Sequence, residues 1–316
     1  MRSRFIYLVV CMLLLCSLFA GCKRDAQVVY EDGLSSEAGY RRTVLYYLSD
    51  EGFVVPVMKL IPWEEGIGKA ALSYLVDQNG NRESASALGL NTVLPAGTAY
   101  TLRIGDDKCA ALDLIGLSDL GSAAREEAMV TSVVNTLAEF GSIDTVRITL
   151  DGKSVKALPH GTKISGEMGP FPLNMEQPEA QVITDSAYAL TLYFPNTSGS
   201  LNVPVTRLTN IAPTLESAVR ELLKGPKFAG LLNAFPEGTE MLGISYADGA
   251  AVVNLSDDFK QVELIDGLAQ AAYDSLYLTL AGVQPISILE VNVSGQPYDA
   301  LAEETTAPLY ANEYGG

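Results

Sequence analysis

Between Leu190 and Pro226 the chain changes its hydrophobic period, and that change limits what it can fold into. Leu190, Leu192 and Phe194 alternate with their neighbours, and Pro195, Asn196 and Gly199 break the run. A second alternating run carries Leu201, Val203, Val205 and Leu208. Pro213 and Thr214 then open a segment whose apolar residues, Leu215, Val219, Leu222 and Leu223, recur at helical spacing until Gly225-Pro226 stops it. Strand alternation gives way to helical periodicity, with breakers between. The stretch predicts a β-hairpin feeding a short amphipathic helix.

The same order occurs upstream in a weaker form. Leu45-Tyr46-Tyr47-Leu48 parallels Leu192-Tyr193-Phe194, with Tyr47 set against Tyr193 in measuring the spacing. Val55-Pro56-Val57-Met58-Lys59-Leu60 parallels Val203-Pro204-Val205-Thr206-Arg207-Leu208, and Leu94-Pro95-Ala96-Gly97-Thr98 parallels Phe235-Pro236-Glu237-Gly238-Thr239. The offset drifts by only a few residues, which loops absorb at little entropic cost. A long internal repeat follows, two copies of one domain.

LTLYFPN, VPVTR, ELLKGP, FPEGT and AAVVNLSDDF, taken in order, resemble the GerMN domain of the spore germination GerM family. The second copy, about 190–298, carries nearly every motif. The first, about 44–155, diverges and has Val76-Asp77-Gln78-Asn79-Gly80 in place of Lys224-Gly225-Pro226. The resemblance implies a non-enzymatic role in spore formation and germination in an endospore-forming bacterium. The implied partners are proteins of the complex that joins mother cell and forespore, which such a chain would help assemble as a scaffold. GerMN domains are similar to ring-building domains, a small sheet with two helices on one face, which act by packing side by side. They also occur beside cell-wall amidase or sensor-linked domains, so an extracytoplasmic module binding peptidoglycan or a sensor is the alternative.

The residues place the elements in the order ββαββαβ, twice. In the first copy these are strands 43–48 and 53–61, a helix near 69–77 ended by Asn79-Gly80-Asn81, a loop to Pro95, and strands 100–104 and 108–114. A helix 122–140 and a strand 146–150 complete it. In the second, strands 241–246 and 250–255 follow the opening stretch, then a long helix 262–280 with Leu264, Leu268, Ala272, Leu276 and Leu280 inward, then a strand 286–293. Hairpins imply antiparallel pairs, so the class is α+β, each domain a small mixed or antiparallel sheet with two helices on one face. The expected division is a signal segment 1–21, a tether 22–42, domain 1 at 43–157, a Gly- and Pro-rich linker 158–187, domain 2 at 188–299 and a loose tail 300–316.

Arg2 and Arg4 precede an apolar run, Phe5 to Phe19, too short for an ordinary membrane span. Leu18-Phe19-Ala20-Gly21-Cys22 resembles the lipobox of bacterial lipoproteins, with Phe19 where Leu is usual. Cys22 is then the lipid attachment site, and the protein sits on the outer face of the cell membrane. An uncleaved signal anchor is the other reading. A net charge of −17 argues against nucleic acid and against unaided docking on anionic lipid. Cys11 and Cys16 leave with the signal, so Cys109 is the one thiol of the folded body. It reads as a small buried hydrophobe.

No catalytic residue, metal ligand or cofactor site is assigned. Asp106-Asp107 fits a hairpin turn and Asp257-Asp258 the start of a helix. His160, the single histidine, lies in the turn Leu158-Pro159-His160-Gly161-Thr162, a poor place for a rigid base. Zinc needs more His and Cys than the mature chain has, and no phosphate loop or small-molecule signature is visible. Trp63 reads as a loop residue, with a partner contact as the alternative.

Overall fold

The structure, a computed structural model, describes residues 39–62, 66–298 and 307–314. Domain 1 opens with β1 (Tyr40–Ser49) and β2 (Val54–Pro62), an antiparallel pair. Helices α1 (Ile67–Leu75) and α2 (Asn79–Ser86) and the short strand β3 (Leu90–Asn91) follow. Strands β4 (Ala99–Ile104) and β5 (Cys109–Ile115), helix α3 (Ala123–Ala138) and strand β6 (Thr145–Leu150) complete it. Domain 2 repeats the order with β7 (Tyr188–Pro195), β8 (Asn202–Thr209), α4 (Leu215–Leu223), β9 (Met241–Ala247) and β10 (Ala250–Leu255). A 3-10 helix (Asp257–Leu264), α5 (Leu268–Ala281), β11 (Ile288–Val293) and β12 (Gln296–Pro297) close it.

The α+β class and the tandem arrangement hold, but each domain divides its strands between two ladders. The opening hairpin stands apart, β2-β1-β3 in domain 1 and β7-β8 in domain 2. The second ladder is mixed. β5 pairs antiparallel with β4 and parallel with β6, as β10 does with β9 and β11. Two helices lie on each hairpin, α1 and α3 against β1, α4 and α5 against β7. Their inward faces are the apolar stripes: Met129, Val130, Val133, Val134 and Leu137 on α3, and Ala272, Leu276 and Leu280 on α5. Caps fix where helices begin. Ser122 accepts from the Arg125 amide, and Thr214 and Ser217 form a reciprocal capping box.

Small features recur in pairs and set the repeat register. Tyr46 stands opposite Pro56 and Tyr193 opposite Pro204, so Tyr193 corresponds to Tyr46 and not to Tyr47. The Tyr46 amide donates to Thr136 on α3, and the Tyr193 amide to Thr279 on α5, each at 3.0 Å. Asp151-Gly152 and Ser294-Gly295 both turn through positive φ after the last strand. Each turn glycine donates its amide to the central strand, Gly152 to Asp113 and Gly295 to Asn254.

Several expectations need correction. Residues 40–42 belong to β1, not to a tether. The loop before Pro95 contains α2, a polar helix that buries only Ala85 and so shows no apolar stripe. It is tied to the end of α1 by Asn81, which donates to the carbonyls of Ser73 and Val76. The long helix 262–280 is broken. Gly267, at φ 76, is the N-cap of α5, and Leu264 upstream of it is 81% exposed. Asp257 and Asp258 therefore start the 3-10 helix and do not cap α5.

The tail also departs from expectation. Residues 311–314 are docked, with Asn312 buried. The linker packs along domain 1 first. Leu158 and Ile164 are buried, Met168 bridges to Val146, and Asn135 holds Phe171 through its amide and carbonyl. The buried apolar residues of both domains form one continuous cluster, and Phe53 meets Phe228 edge-on at 5.3 Å.

Candidate functional site

The polar residues that chemistry could recruit are dispersed, and structural duties occupy them. His160 Nε2 lies 2.6 Å from Asp119 Oδ1, at the surface. The Gly121 amide, and after it His160, hold the Asp119 carboxyl below the usual carboxylate range. Behind this pair the buried Glu126 accepts from the amides of His160 and Thr162. The arrangement staples the turn 158–162 onto the first turn of α3. Asp107 accepts from the Cys109 amide across its own turn, and Cys109 is buried. Asp257 pairs with Lys260 at 2.9 Å and accepts from Ser294; Lys260 holds its carboxyl low. Among the described residues no three His, Cys, Asp or Glu side chains converge as a metal site. Cys22 and Trp63 lie outside the described residues.

What the structure does bring together is a polar seam between the two hairpins, which the sequence patterns did not reveal. β2 and β8 lie side by side with their outer edges facing. Each edge carries a proline, Pro56 or Pro204, which offers a carbonyl and no amide. Asn174, after domain 1, and Asn312, after domain 2, fill this gap in matching ways.

Asn174 Oδ1 accepts from Val54 N at 2.9 Å, and its Nδ2 donates to Val54 O at 2.9 Å and Pro204 O at 2.7 Å. Asn312 Oδ1 accepts from Asn202 N at 2.8 Å, and its Nδ2 donates to Asn202 O and Pro56 O, both at 2.9 Å. Val54 and Asn202 are corresponding positions, as are the two prolines. Only a side-chain amide has one acceptor and two donors in this arrangement.

The backbone crosses over as well. The segment after domain 1 pairs with domain 2: Thr206 N donates to Leu173 O and Glu176 N to Thr206 O. The segment after domain 2 pairs with domain 1: Met58 N donates to Asn312 O at 2.8 Å and Tyr314 N to Met58 O at 2.8 Å. Each domain thus lends an arm to the other.

The arms differ in their side chains. On the first, Glu176 is buried against Arg207, at 1% and 2% exposure, in a two-pronged contact of 2.6 and 2.9 Å. Arg207 also donates to the carbonyls of Glu221 and Gly225 at the end of α4, and the Lys227 amide donates to Glu176. The Arg of VPVTR and the Gly of KGP, two motifs read separately in the sequence, are therefore one hydrogen-bonded unit. On the second arm Tyr314 lies over Lys59, whose ammonium is 3.7 Å from the ring centroid, with Tyr74 at 5.3 Å. Burial lowers the Lys59 pKa.

This architecture defines a class: tandem α+β domains of one kind, joined edge to edge through exchanged arms. The family model described as "Germane: Sporulation and spore germination" matches residues 44–156 and 191–299. The chain belongs to this family. It is 30% identical over 277 residues to the spore germination protein GerM of Bacillus subtilis (strain 168), covering 84% of this chain and 75% of that protein. The solved tandem GerMN domains of sporulation protein GerM from Bacillus subtilis superpose with a TM-score of 0.62 at 25% identity, over 87% of this chain and 100% of that one.

Proposed function

We propose that this chain is a non-enzymatic lipoprotein of sporulation and germination, anchored through Cys22 on the outer face of the cell membrane. There it acts as a scaffold for assembly of the complex between mother cell and forespore. The family and the relatives place it in sporulation. The single observation that carries the scaffold reading is the seam: Asn174, Asn312 and the buried Glu176–Arg207 pair are spent on joining the two modules. No helix among the described residues is long and apolar enough to cross a membrane. Two or three acyl chains give stable anchoring.

The test is complementation of a deletion strain. His160→Ala, and separately Asp257→Asn with Asp258→Asn, should restore sporulation, while a chain lacking 188–299 should not. His160→Ala reproducing the deletion phenotype in a folded, membrane-bound protein would overturn the reading. Cys22→Ala should release the protein from the membrane fraction or stall its processing. Unchanged membrane sedimentation after complete signal cleavage would remove Cys22 from the account.

One observation favours a second reading, an extracytoplasmic binding module. An open cleft of about 690 Å³ in domain 1 is lined by Asp50, Asp77, Arg82, Asn91, Asp119 and Arg125 among others. Mixed charges in a groove suit a peptide or glycan. Co-sedimentation with purified peptidoglycan, lost on Arg125→Ala, would favour it over the scaffold.

A further inference from the structure

The two arms of the seam are held by different means. Glu176 is fixed by buried charge, and the chain on either side is tied down, by Phe171 to Asn135 and by Glu179 to Lys227 at 3.0 Å. The second arm has no buried charge, and Glu313 is exposed. It is held by two main-chain bonds to Met58, three bonds of the Asn312 amide, an Asn202 Nδ2 bond to Ala311 O at 3.2 Å, and the Tyr314 ring on Lys59. Beside the ring, Tyr47, Val57, Ala85, Leu88 and Leu90 form a narrow apolar cleft.

Main-chain bonds to a strand edge can be made by any extended peptide, and side-chain contacts at alternate positions supply the selectivity. Here Asn312 reads the gap left by Pro56, and two residues on an aromatic ring meets a partly desolvated cation. We propose that the outer edge of β2, with this cleft, is a strand-addition site for extended protein segments of the form Asn-X-aromatic. Such a segment runs parallel to β2, and the chain's own residues 311–314 are the resident ligand in cis. A protein partner carrying such a segment would enter by displacing the resident arm. The site does not depend on the scaffold role, because its geometry is present in the isolated chain.

The experiment keeps the native fold until the arm is cut. A recognition sequence for a site-specific protease is placed between Tyr298 and Ala307 of the otherwise complete chain, and cleavage follows folding. A labelled synthetic peptide of residues 307–316 is then added. The expected result is saturable uptake by the cut chain and little uptake by the uncut chain. A peptide carrying Asn312→Ala should bind at least about tenfold more weakly, the penalty for leaving buried carbonyls and an amide unpaired. Tyr314→Ala in the peptide should also weaken binding. The proposal is overturned if the cut chain, cleared of its own released segment and with exchange protection at α3 and α5 intact, takes up no peptide. It is equally overturned if the Asn312→Ala peptide binds as well as the native one, or if cut and uncut chains bind alike.

Discussion

The outer strands β8 and β2 occupy corresponding places, yet their side chains are anchored by different chemistry. β8 places Arg207 against the buried Glu176 and the carbonyls that end α4. β2 places Lys59 at the matching position, under Tyr314 and beside Tyr74. Around both, the backbone plan is the same, an Asn bridging the two hairpins and an added strand segment two residues beyond the proline. The repeat has kept the backbone contacts and let the charge chemistry drift. A buried ion pair gives domain 2 an anchor that fails sharply when half of it is removed; domain 1 has a milder one.

The largest effect should come from splitting the ion pair. Arg207→Met leaves the Glu176 carboxylate buried without its partner and should cost about 3–5 kcal/mol, read as a lower urea midpoint. Next come the asparagines. Asn174→Ala and Asn312→Ala each strip partners from two buried carbonyls and an amide, for about 1–3 kcal/mol each by the same measurement. The two losses should be alike, and a large inequality would break the symmetry of the seam. Lys59→Met, which loses only the ring contacts, should cost about 0.5–1 kcal/mol. A Lys59→Met loss as large as that of Arg207→Met would erase the contrast between the halves.

A pH titration sharpens the comparison at least cost to the fold. Burial first, and then the carboxylate of Glu139 at 2.6 Å, hold the Tyr46 phenol well above its usual value. Burial and the same carboxylate raise its counterpart Tyr193. The folded state therefore disfavours both phenolates. The stability these groups confer is complete below a free phenol pKa of about 10 and declines as pH rises above it. Tyrosinate absorbance from these residues should appear only together with loss of the near-ultraviolet circular dichroism. Ionisation of both at their ordinary pKa with the fold intact would contradict the packing described.

Much of this was legible in the residues, for physical reasons. Alternation in Leu190 to Leu208 and helical spacing in Met129 to Leu137 report burial directly, and Asp106-Asp107 and Ser294-Gly295 mark turns by their backbone preferences. The polar helix α2 buries one residue and has no stripe to read. Gly267 breaks a run whose apolar spacing continues through it, and only the left-handed cap reveals the break. The seam was hidden for another reason. Asn174 sits in Leu-Asn-Met-Glu and Asn312 in Ala-Asn-Glu-Tyr, both within stretches lacking periodicity. Glu176 lies 31 residues from Arg207 in a Pro-rich segment. Buried polar pairs between distant segments leave no local pattern, although the Asn shared by the segment after each domain is a trace of the repeat.

Two GerMN domains are locked into one body by arms that each lends to the other. Hydrogen exchange on the folded Asn312→Ala chain, against the unmodified chain, tests it most directly. Because Asn312 bonds to Pro56 and Asn202 alike, protection should be lost in both β2 and β8, two segments far apart in sequence, while α3 and α5 keep theirs. Loss confined to the last residues of the chain, with β2 and β8 unchanged, would contradict it.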